Sequence, residues 1–453
     1  MKNLYAVMLI VIILAGAAYS QPDLTQEPPA PQKRADIAIA EVVAVNVVVW
    51  AWGHYVLDGY WTQIGWESFD VNLRHGFEWD PNKFKTNFFD HPFHGSIYFN
   101  AARTNGMNFW ESAPFSFFGS LTWELFMESE YPSFNDLAMT TLGGIALGEG
   151  LYRFSEQILD DRAGGWDRAW REVAGLAVNP VGGFNRLVKG DMFRRRAAIN
   201  HLRNPLIGYV AVGGRGRVNG DNLEKQEFTP GFQFSLRYGD PFEDQSSRSP
   251  FDYFTFRYWT SKKDTLRHTT ILEQAVLLGK NFRSGKNQDQ VHLLGLFQYY
   301  DYVNAELMNF GGVTFGPGLL SQFPLGKNYQ LVTGPHLGAL VLGGSNNEYV
   351  ASSQGRNYNF GTGVKGKFNA TLQHHKFGAL LLEYNYFWIH TIEGAPGTEQ
   401  IQMLDGIYNL PIWKNFGLGL EVFYYHRNGQ YDFFPDVKTE IKGSRVLLSY
   451  AFY

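Results

Sequence analysis

The sequence predicts a mainly β protein, a transmembrane antiparallel β-barrel of about twelve strands preceded by an α-helical N-terminal domain. The first observation is a period-two alternation of apolar residues from about residue 205 to the end. The second is the composition, which is 16% aromatic and only 18% charged, with 49 glycines. Mean hydropathy is −0.24, which excludes a bundle of many apolar helices but suits strands that meet lipid with alternate residues.

Charge and cysteine content exclude several classes of protein. The chain has 39 basic and 43 acidic residues, and this near balance argues against a nucleic-acid partner. It contains no cysteine, so a disulfide scaffold, a thiol nucleophile and a cysteine zinc site are excluded. Its high apolar content argues against a mainly disordered chain.

The N-terminus is typical of an export signal. Residues 1–20 combine the positive start Met1-Lys2-Asn3, an apolar run from Leu4 to Ala17, and small residues before a cleavage site after Ser20. A retained N-terminal anchor is the alternative. Residues 21–35 are rich in Pro and Gln and are predicted to be a linker. Export without cysteine suits the envelope of a diderm bacterium, so we expect an outer-membrane location.

Residues 36–200 are predicted to form an α-helical periplasmic or plug domain. Ile37 to Trp52 is strongly apolar but carries Glu41 and Asn46, so we expect a buried helix, with a membrane span as the alternative. Apolar residues at helical spacing predict the other helices at His91–Arg103, Phe109–Ser129, Ser133–Asp160 and Trp166–Ala177.

Residues 205–453 are predicted to form the barrel. The alternation is clearest where Phe416, Leu418 and Leu420 are separated by glycines, and the chain closes on an aromatic strand. Pro317, Pro335 and Pro411 fall inside candidate strands, where proline removes a hydrogen-bond donor. The twelve candidate strands start near Leu206, Gln226, Phe251, His268, Val291, Phe310, Tyr329, Tyr358, Phe377, Ile401, Phe416 and Lys438.

Isolated charges on these strands are the candidate binding residues of a lumen. They have both signs, which predicts no strong ion selectivity. The lumen-facing candidates are Arg237, Arg257, Lys365, Lys367, Glu383, Glu421 and Arg445.

Titratable residues of the helical domain are candidates for catalysis or metal binding. His91 and His94 are three apart, and Glu124 and Glu128 share a helix face four apart, where like charges repel. Three arrangements would explain two glutamates on one helix face. They are a metal ion bound by all four residues, ion pairs with Arg103 or Arg153, and solvent exposure of one glutamate. Catalytic candidates are His94, Glu124, Glu128 and Asp136.

Asp136 also has a structural interpretation, which we favour. Ser133 is placed to cap a helix, with Asp136 reaching back as in a capping box. No catalytic or metal residue is assigned on this basis.

No cofactor is expected. The triplet Gly361, Gly363 and Gly366 has the spacing of a dinucleotide-binding loop, but it lies inside an alternating strand and does not precede a helix. The chain has no phosphate-binding loop ending in Gly-Lys-Ser/Thr and no Gly-x-Ser-x-Gly elbow.

Several motifs occur together in the helical region. They are His91-Pro92-x-His94-Gly95-x-x-Tyr98, Arg103, Gly119-Ser120-x-x-Trp123-Glu124-x-x-x-Glu128, Pro132-Ser133-x-Asn135-Asp136 and Gly143-Gly144-x-x-Leu147-Gly148-Glu149. Over about residues 75–190 the chain resembles a bacterial envelope family known only as a domain of unknown function. The resemblance implies a signal peptide, this helical block, a β-rich C-terminus and an outer-membrane location. It implies no activity and no catalytic residue.

Two functions follow as hypotheses. The first is a non-enzymatic outer-membrane barrel whose helical part plugs or gates the lumen, or binds an envelope partner. The second is a membrane enzyme acting on lipid or lipopolysaccharide through the histidine and carboxylate set. A soluble secreted β-protein is a third, weaker interpretation. The expected partners are outer-membrane lipid and an envelope protein, and the sequence does not indicate an oligomeric state.

Overall fold

The computed structural model describes residues 32–195, 204–219, 229–263, 266–305, 308–352 and 354–452. The predicted signal peptide and nearly all of the predicted linker lie outside these ranges.

The N-terminal region is a bundle of α-helices. Short π-helical turns at Thr86–Asp90 and Met139–Gly143 lead directly into two of them. The helices are α1 Ala35–Tyr55, α2 Trp66–His75, α3 His91–Arg103, α4 Phe109–Phe126, α5 Phe134–Ala138, α6 Gly144–Ile158, α7 Gly165–Val178 and α8 Pro180–Val188. The predicted helices lie within these elements to a few residues, whereas α2 and α8 were not predicted.

The C-terminal region is a closed antiparallel barrel of twelve strands within the described residues, as predicted. Each strand pairs with its neighbours along the chain, and β1 pairs with β12 to close the sheet. The strands are β1 Leu206–Asn219, β2 Thr229–Tyr238, β3 Phe254–Lys263, β4 Leu266–Ser284, β5 Gln290–Ala305, β6 Met308–Leu325, β7 Tyr329–Asn346, β8 Tyr358–His374, β9 Gly378–Glu393, β10 Gly397–Trp413, β11 Phe416–Tyr431 and β12 Val437–Phe452.

The three prolines lie inside strands where the ladder is irregular. Pro317 and Pro335 fall in a stretch of the β6–β7 ladder where the pairing is interrupted, between the pairs Phe315–Ala339 and Ser321–Thr333. Pro411 lies at a register shift between β10 and β11. The sheet therefore places each proline where a lost donor is tolerated.

Contacts between distant strands identify the inner wall of the barrel. Arg257 on β3 pairs with Glu383 on β9, and Lys365 on β8 pairs with Asp301 on β5. Strands this far apart in the sheet can touch only across the lumen. Since successive residues alternate between faces, Phe256 and other residues of the opposite parity lie on the outer wall.

The helical bundle packs against the outer wall. Glu273 pairs with Phe256 and Tyr300 in the sheet and shares their outward parity, and it lies against Gly150 of α6. The Tyr300 hydroxyl donates to the carbonyl of Phe88 at 2.5 Å. Of the two alternatives for the helical domain, the plug is therefore wrong, because the described helices cover the barrel from outside and do not enter its lumen.

Two hydrophobic clusters join the bundle to this wall. One packs Phe88 and Leu147 of the bundle against Tyr300, Tyr302 and strand neighbours. The other packs Phe99 and Phe109 against β2, β3, β4 and the chain before β3. The covered part of the wall extends from β2 to β8, roughly half of the circumference.

Helix α1 corrects a second expectation. It is 21 residues long, and only 17% of its most apolar window is buried. Its buried residues are Ala38, Val42, Asn46 and Gly53, so the polar Asn46 faces the bundle, whereas Ile39, Val43, Val47 and Val48 are exposed. The expected buried helix is wrong, because the polar residues in the middle of the run face the bundle and leave an apolar face exposed.

Candidate functional site

Six titratable side chains gather in the bundle, and we call them the acid–histidine cluster. His91 and His94 lie on α3, Glu124 lies on α4, and Glu128 follows α4. Asp136 lies on the short helix α5. The sixth is Asp80, in the segment between α2 and the π-turn, which sequence reasoning missed because no motif marks it.

Asp136 is held at the start of α5. The Ser133 hydroxyl accepts a hydrogen bond from the backbone N–H of Asp136 at 3.2 Å, so the predicted helix cap is present. The carboxylate does not complete a capping box. It lies 3.3 Å from Nε2 of His91 and accepts from Nδ2 of Asn135 at 2.8 Å. The helix cap therefore positions the Asp136 carboxylate within the acid–histidine cluster.

The carboxyls of Glu124 and Glu128 are close neighbours in the cluster, and Oε1 of Glu124 is buried without a hydrogen-bond partner among the described residues. Glu124 is fully buried, and its Oε2 accepts from the backbone N–H of Ser133 at 2.9 Å. Glu128 accepts from the indole N–H of Trp123 at 3.1 Å.

The arginines that were considered as partners lie elsewhere. Arg103 and Arg153 both pair with Glu149, at 2.6 and 2.8 Å. Pairing of either arginine with Glu124 or Glu128 is therefore not found, because α6 presents its own buried carboxylate to them.

His94 is enclosed by aromatic rings. Its ring lies 4.6 Å from that of Tyr98 and 5.1 Å from that of Trp123. Nε2 of His94 is buried and has no hydrogen-bond partner among the described residues. Across the same interface the Tyr98 hydroxyl donates to Asn46 of α1.

Burial raises the pKa of the carboxyls that lie outside the long helices. Burial, and then the charge of Asp136, raise the pKa of Asp80 to about 7. Burial likewise raises the pKa of Asp136 to about 7 against the hydrogen bonds from Ser133 and Asn135. Burial, with the nearby charge of Asp136, holds the pKa of Glu128 well above its usual range.

The cluster can therefore hold and release protons near neutral pH, as general acid–base chemistry requires.

The arrangement of the cluster does not suit a metal ion. Among the described residues, no three His, Asp or Glu side chains are arranged to hold a metal ion. His91, His94, Glu124 and Glu128 are near one another, but not as a ligand set.

The barrel lumen is the second candidate site. All seven predicted side chains have inward parity in the sheet. Glu383 contacts both Arg257, at 3.2 Å, and Lys367, at 3.1 Å. Lys365 pairs with Asp301 at 2.6 Å, and Arg445 pairs with Glu421. Arg237 also has inward parity, near the end of β2 and opposite the start of β3. Whether these residues bind a ligand stays a prediction.

Sequence reasoning missed two acids in this network. Asp301 lies on β5 and Asp405 on β10, and Asp405 is 3.9 Å from Arg257. Each occupies an inward position of an alternating strand, and that parity was the signal that could have found them.

Apolar side chains fill the lumen on either side of the charges. The rings of Phe310 and Phe387, on β6 and β9, have centroids 4.3 Å apart. They belong to an inward cluster with Ile389, Ile401 and Met403. A second inward cluster contains Phe297 and Tyr299. The side chains of the barrel itself therefore occupy part of the lumen.

The helical region carries the match to a known family. Residues 76–181 match a family described as "Domain of unknown function (DUF3943)". This DUF3943 segment begins after α2 and ends in α8, so it contains the whole acid–histidine cluster. The resemblance inferred from the motifs is confirmed. No curated protein matches the chain.

Solved structures similar to this chain cover slightly more than half of it. The outer membrane channel DcaP of Acinetobacter baumannii is 9% identical, over 55% of this chain and 96% of that chain, with a TM-score of 0.23. An outer membrane channel from Pseudomonas putida F1 is 8% identical, over 56% and 97%, with a TM-score of 0.29. The translocator domain of the autotransporter NalP from Neisseria meningitidis is 12% identical, over 56% and 90%, with a TM-score of 0.24. Likenesses this low carry no argument about function.

Proposed function

We propose that this protein is an outer-membrane barrel closed to ions, which acts as an envelope scaffold and carries the helical bundle as its binding module. The observation that supports the closed lumen is the set of ion pairs between strands that are not neighbours, above all Arg257 with Glu383. Side chains that meet across the lumen leave no continuous water path past them.

The uncovered part of the outer wall supports membrane insertion. Large apolar side chains point outward there, and such a surface is stable only against lipid or a partner. The exposed ones include Val212, Val364, Phe368, Leu382, Leu404, Val422, Val446 and Leu448. Exposed aromatic rings mark the end of the barrel at which β1 begins, as at a membrane interface, namely Tyr329, Phe377, Trp413, Phe416 and Tyr450.

The test is conductance of the full-length protein in a planar lipid bilayer. We expect no conductance steps from the wild type. We expect clear conductance steps from a quadruple variant that combines Lys365→Ala, Asp301→Ala, Phe310→Ala and Phe387→Ala. Steady conductance of the wild type would show that the lumen is open. If neither protein conducts ions and alkaline carbonate releases the wild type from membranes, the barrel does not span the membrane.

The acid–histidine cluster favours a second candidate function, a membrane enzyme acting on lipid or lipopolysaccharide. The supporting observation is that Asp136 and His91 are in contact within a group of carboxyls that titrate near neutral pH. The test compares the lipids of cells expressing the wild type and Asp136→Asn by mass spectrometry. A changed lipid that depends on Asp136 would support the enzyme, and identical lipids would count against it.

A further inference from the structure

We propose that the helical bundle lies in the same bilayer as the barrel, with the outward face of α1 in contact with lipid acyl chains. This inference rests on the proposed membrane location of the barrel. It adds that half of the circumference meets lipid through helices and not through strands.

The bundle covers the wall along the full height of the barrel. At the end where β1 begins, Arg153 donates to the carbonyl of Pro250 at 2.8 Å, in the connection between β2 and β3. At the opposite end, the hydroxyl of Tyr358 donates to the carbonyl of Asn82 at 3.1 Å, where β8 begins. A bilayer that surrounds the barrel must therefore meet the bundle over the covered strands.

Helix α1 runs beside α4, which follows the barrel axis. Phe109 at the start of α4 packs on Phe251 in the β2–β3 connection, and Glu130 beyond its end accepts from Gln354 in the β7–β8 connection at the opposite end.

The first turn of α1 lies beside the start of α4, because the backbone N–H of Arg34 donates to Asn105 at 2.9 Å and Lys33 pairs with Glu111 at 2.7 Å. Its last turns lie near the residues after α4, since Trp50 donates to the carbonyl of Thr62 at 3.0 Å and the backbone N–H of Ser129 donates to the carbonyl of the adjacent Trp61 at 2.8 Å. At about 1.5 Å per residue, 21 residues reach about 31 Å, close to the hydrocarbon thickness of a bilayer.

The surface of α1 has the composition that lipid requires. Its most apolar window has a mean hydropathy of 1.7. Four outward side chains are 45–65% exposed, namely Ile39, Val43, Val47 and Val48. A water-soluble bundle would bury these side chains, because exposing large apolar surfaces to water is unfavourable.

The two polar side chains within the apolar run, Glu41 and Asn46, have the reverse orientation. Asn46 is 1% exposed and donates to the hydroxyl of Thr122 at 3.0 Å. Glu41 accepts from Asn105 at 2.9 Å. Polar groups turned inward and apolar groups turned outward are the arrangement that a membrane imposes.

The chain offers a direct test because it has no native cysteine. Single variants Val47→Cys on α1, Val422→Cys on the uncovered barrel wall and Lys376→Cys in an exposed turn each carry an environment-sensitive fluorophore. The full-length proteins are reconstituted in phosphatidylcholine vesicles with or without a lipid that bears a quencher in mid-chain. Water-soluble iodide is the second quencher, and heat-modifiable migration on gels checks folding.

We expect lipid quenching at position 47 within about twofold of that at position 422, with little effect of iodide at either. Position 376 should show the opposite pattern. Iodide quenching at position 47 with lipid quenching at 422 would place the bundle in water. Protection of position 47 from both quenchers would assign the face to a partner protein or a second copy. Each result would overturn the inference. Loss of lipid quenching at 422 would instead overturn the membrane location of the barrel.

Discussion

The lumen of the barrel and the acid–histidine cluster of the bundle are both buried and polar, but their acidic side chains have different partners. In the lumen the acids meet bases, as Glu383 meets Arg257 and Lys367. In the cluster, Asp80, Glu128 and Asp136 gather without a lysine or arginine partner in the described residues. Gathered carboxyls keep their protons to higher pH, so the cluster should respond to pH near neutrality.

The largest effect should come from breaking a pair in the lumen. Glu383→Gln leaves Arg257 and Lys367 buried beside a neutral group, which we expect to cost about 3–5 kcal/mol of unfolding free energy. Urea unfolding in detergent, followed by tryptophan fluorescence, measures it. The matched control is Glu393→Gln, since Glu393 pairs with Arg356 in a partly exposed setting and should lose less than about 1 kcal/mol. Equal losses of unfolding free energy in the two variants would show that the buried lumen pair is no more important than the partly exposed pair.

Close helix packing beneath the cluster should give the second effect. A Cβ on Gly95 would lie 1.7 Å from the carbonyl oxygen of Thr140, in backbone that cannot move aside cheaply. We expect Gly95→Ala to cost about 1–3 kcal/mol in the same assay. Gly366→Ala on β8 is the control, because nothing lies within 4 Å of its added Cβ. A stable Gly95→Ala protein would show that α3 and α6 pack less closely.

The response to pH should be the third effect. With folded pKa values of about 7, the protonated Asp80 and Asp136 stabilise the fold fully below about pH 4. That stabilisation is lost as the pH rises to about 7, with Glu124 and His91 facing the same group. We expect the melting temperature of the wild type to fall between pH 5 and pH 8.

Asp136→Asn imitates the protonated acid, so its melting temperature should change less with pH and exceed that of the wild type at pH 8. Glu67→Gln, at an exposed position of α2, should behave as the wild type. A flat profile for the wild type would mean that the cluster is not protonated in the folded protein.

The smallest effect should come from the helix cap that delivers Asp136. Ser133→Ala removes the acceptor for the N–H of Asp136 and should cost about 1 kcal/mol. Ser133→Thr keeps a hydroxyl and should cost less. If both variants lose the same amount, the cap does not contribute through its hydroxyl.

The sequence predicted the barrel well because strand parity is local. Starts such as Val291, Phe310 and Tyr358 agree with the strands to within two residues, since each strand repeats the same alternation and each turn breaks it. Inward parity also placed Arg257 and Glu383 in the lumen. Their pairing was beyond the sequence, because it joins β3 to β9, which the chain separates by more than one hundred residues.

The sequence by itself determined the number and direction of the strands, the main helices and the Ser133 cap, because each depends on neighbours within a few residues. Only the tertiary structure decided that the bundle lies outside the barrel, that Asp80 joins the cluster, and that charges pair across the lumen. These features depend on which faces meet across long separations of the chain. The periodicity of an apolar face is the same whether it packs against a wall, a plug or lipid.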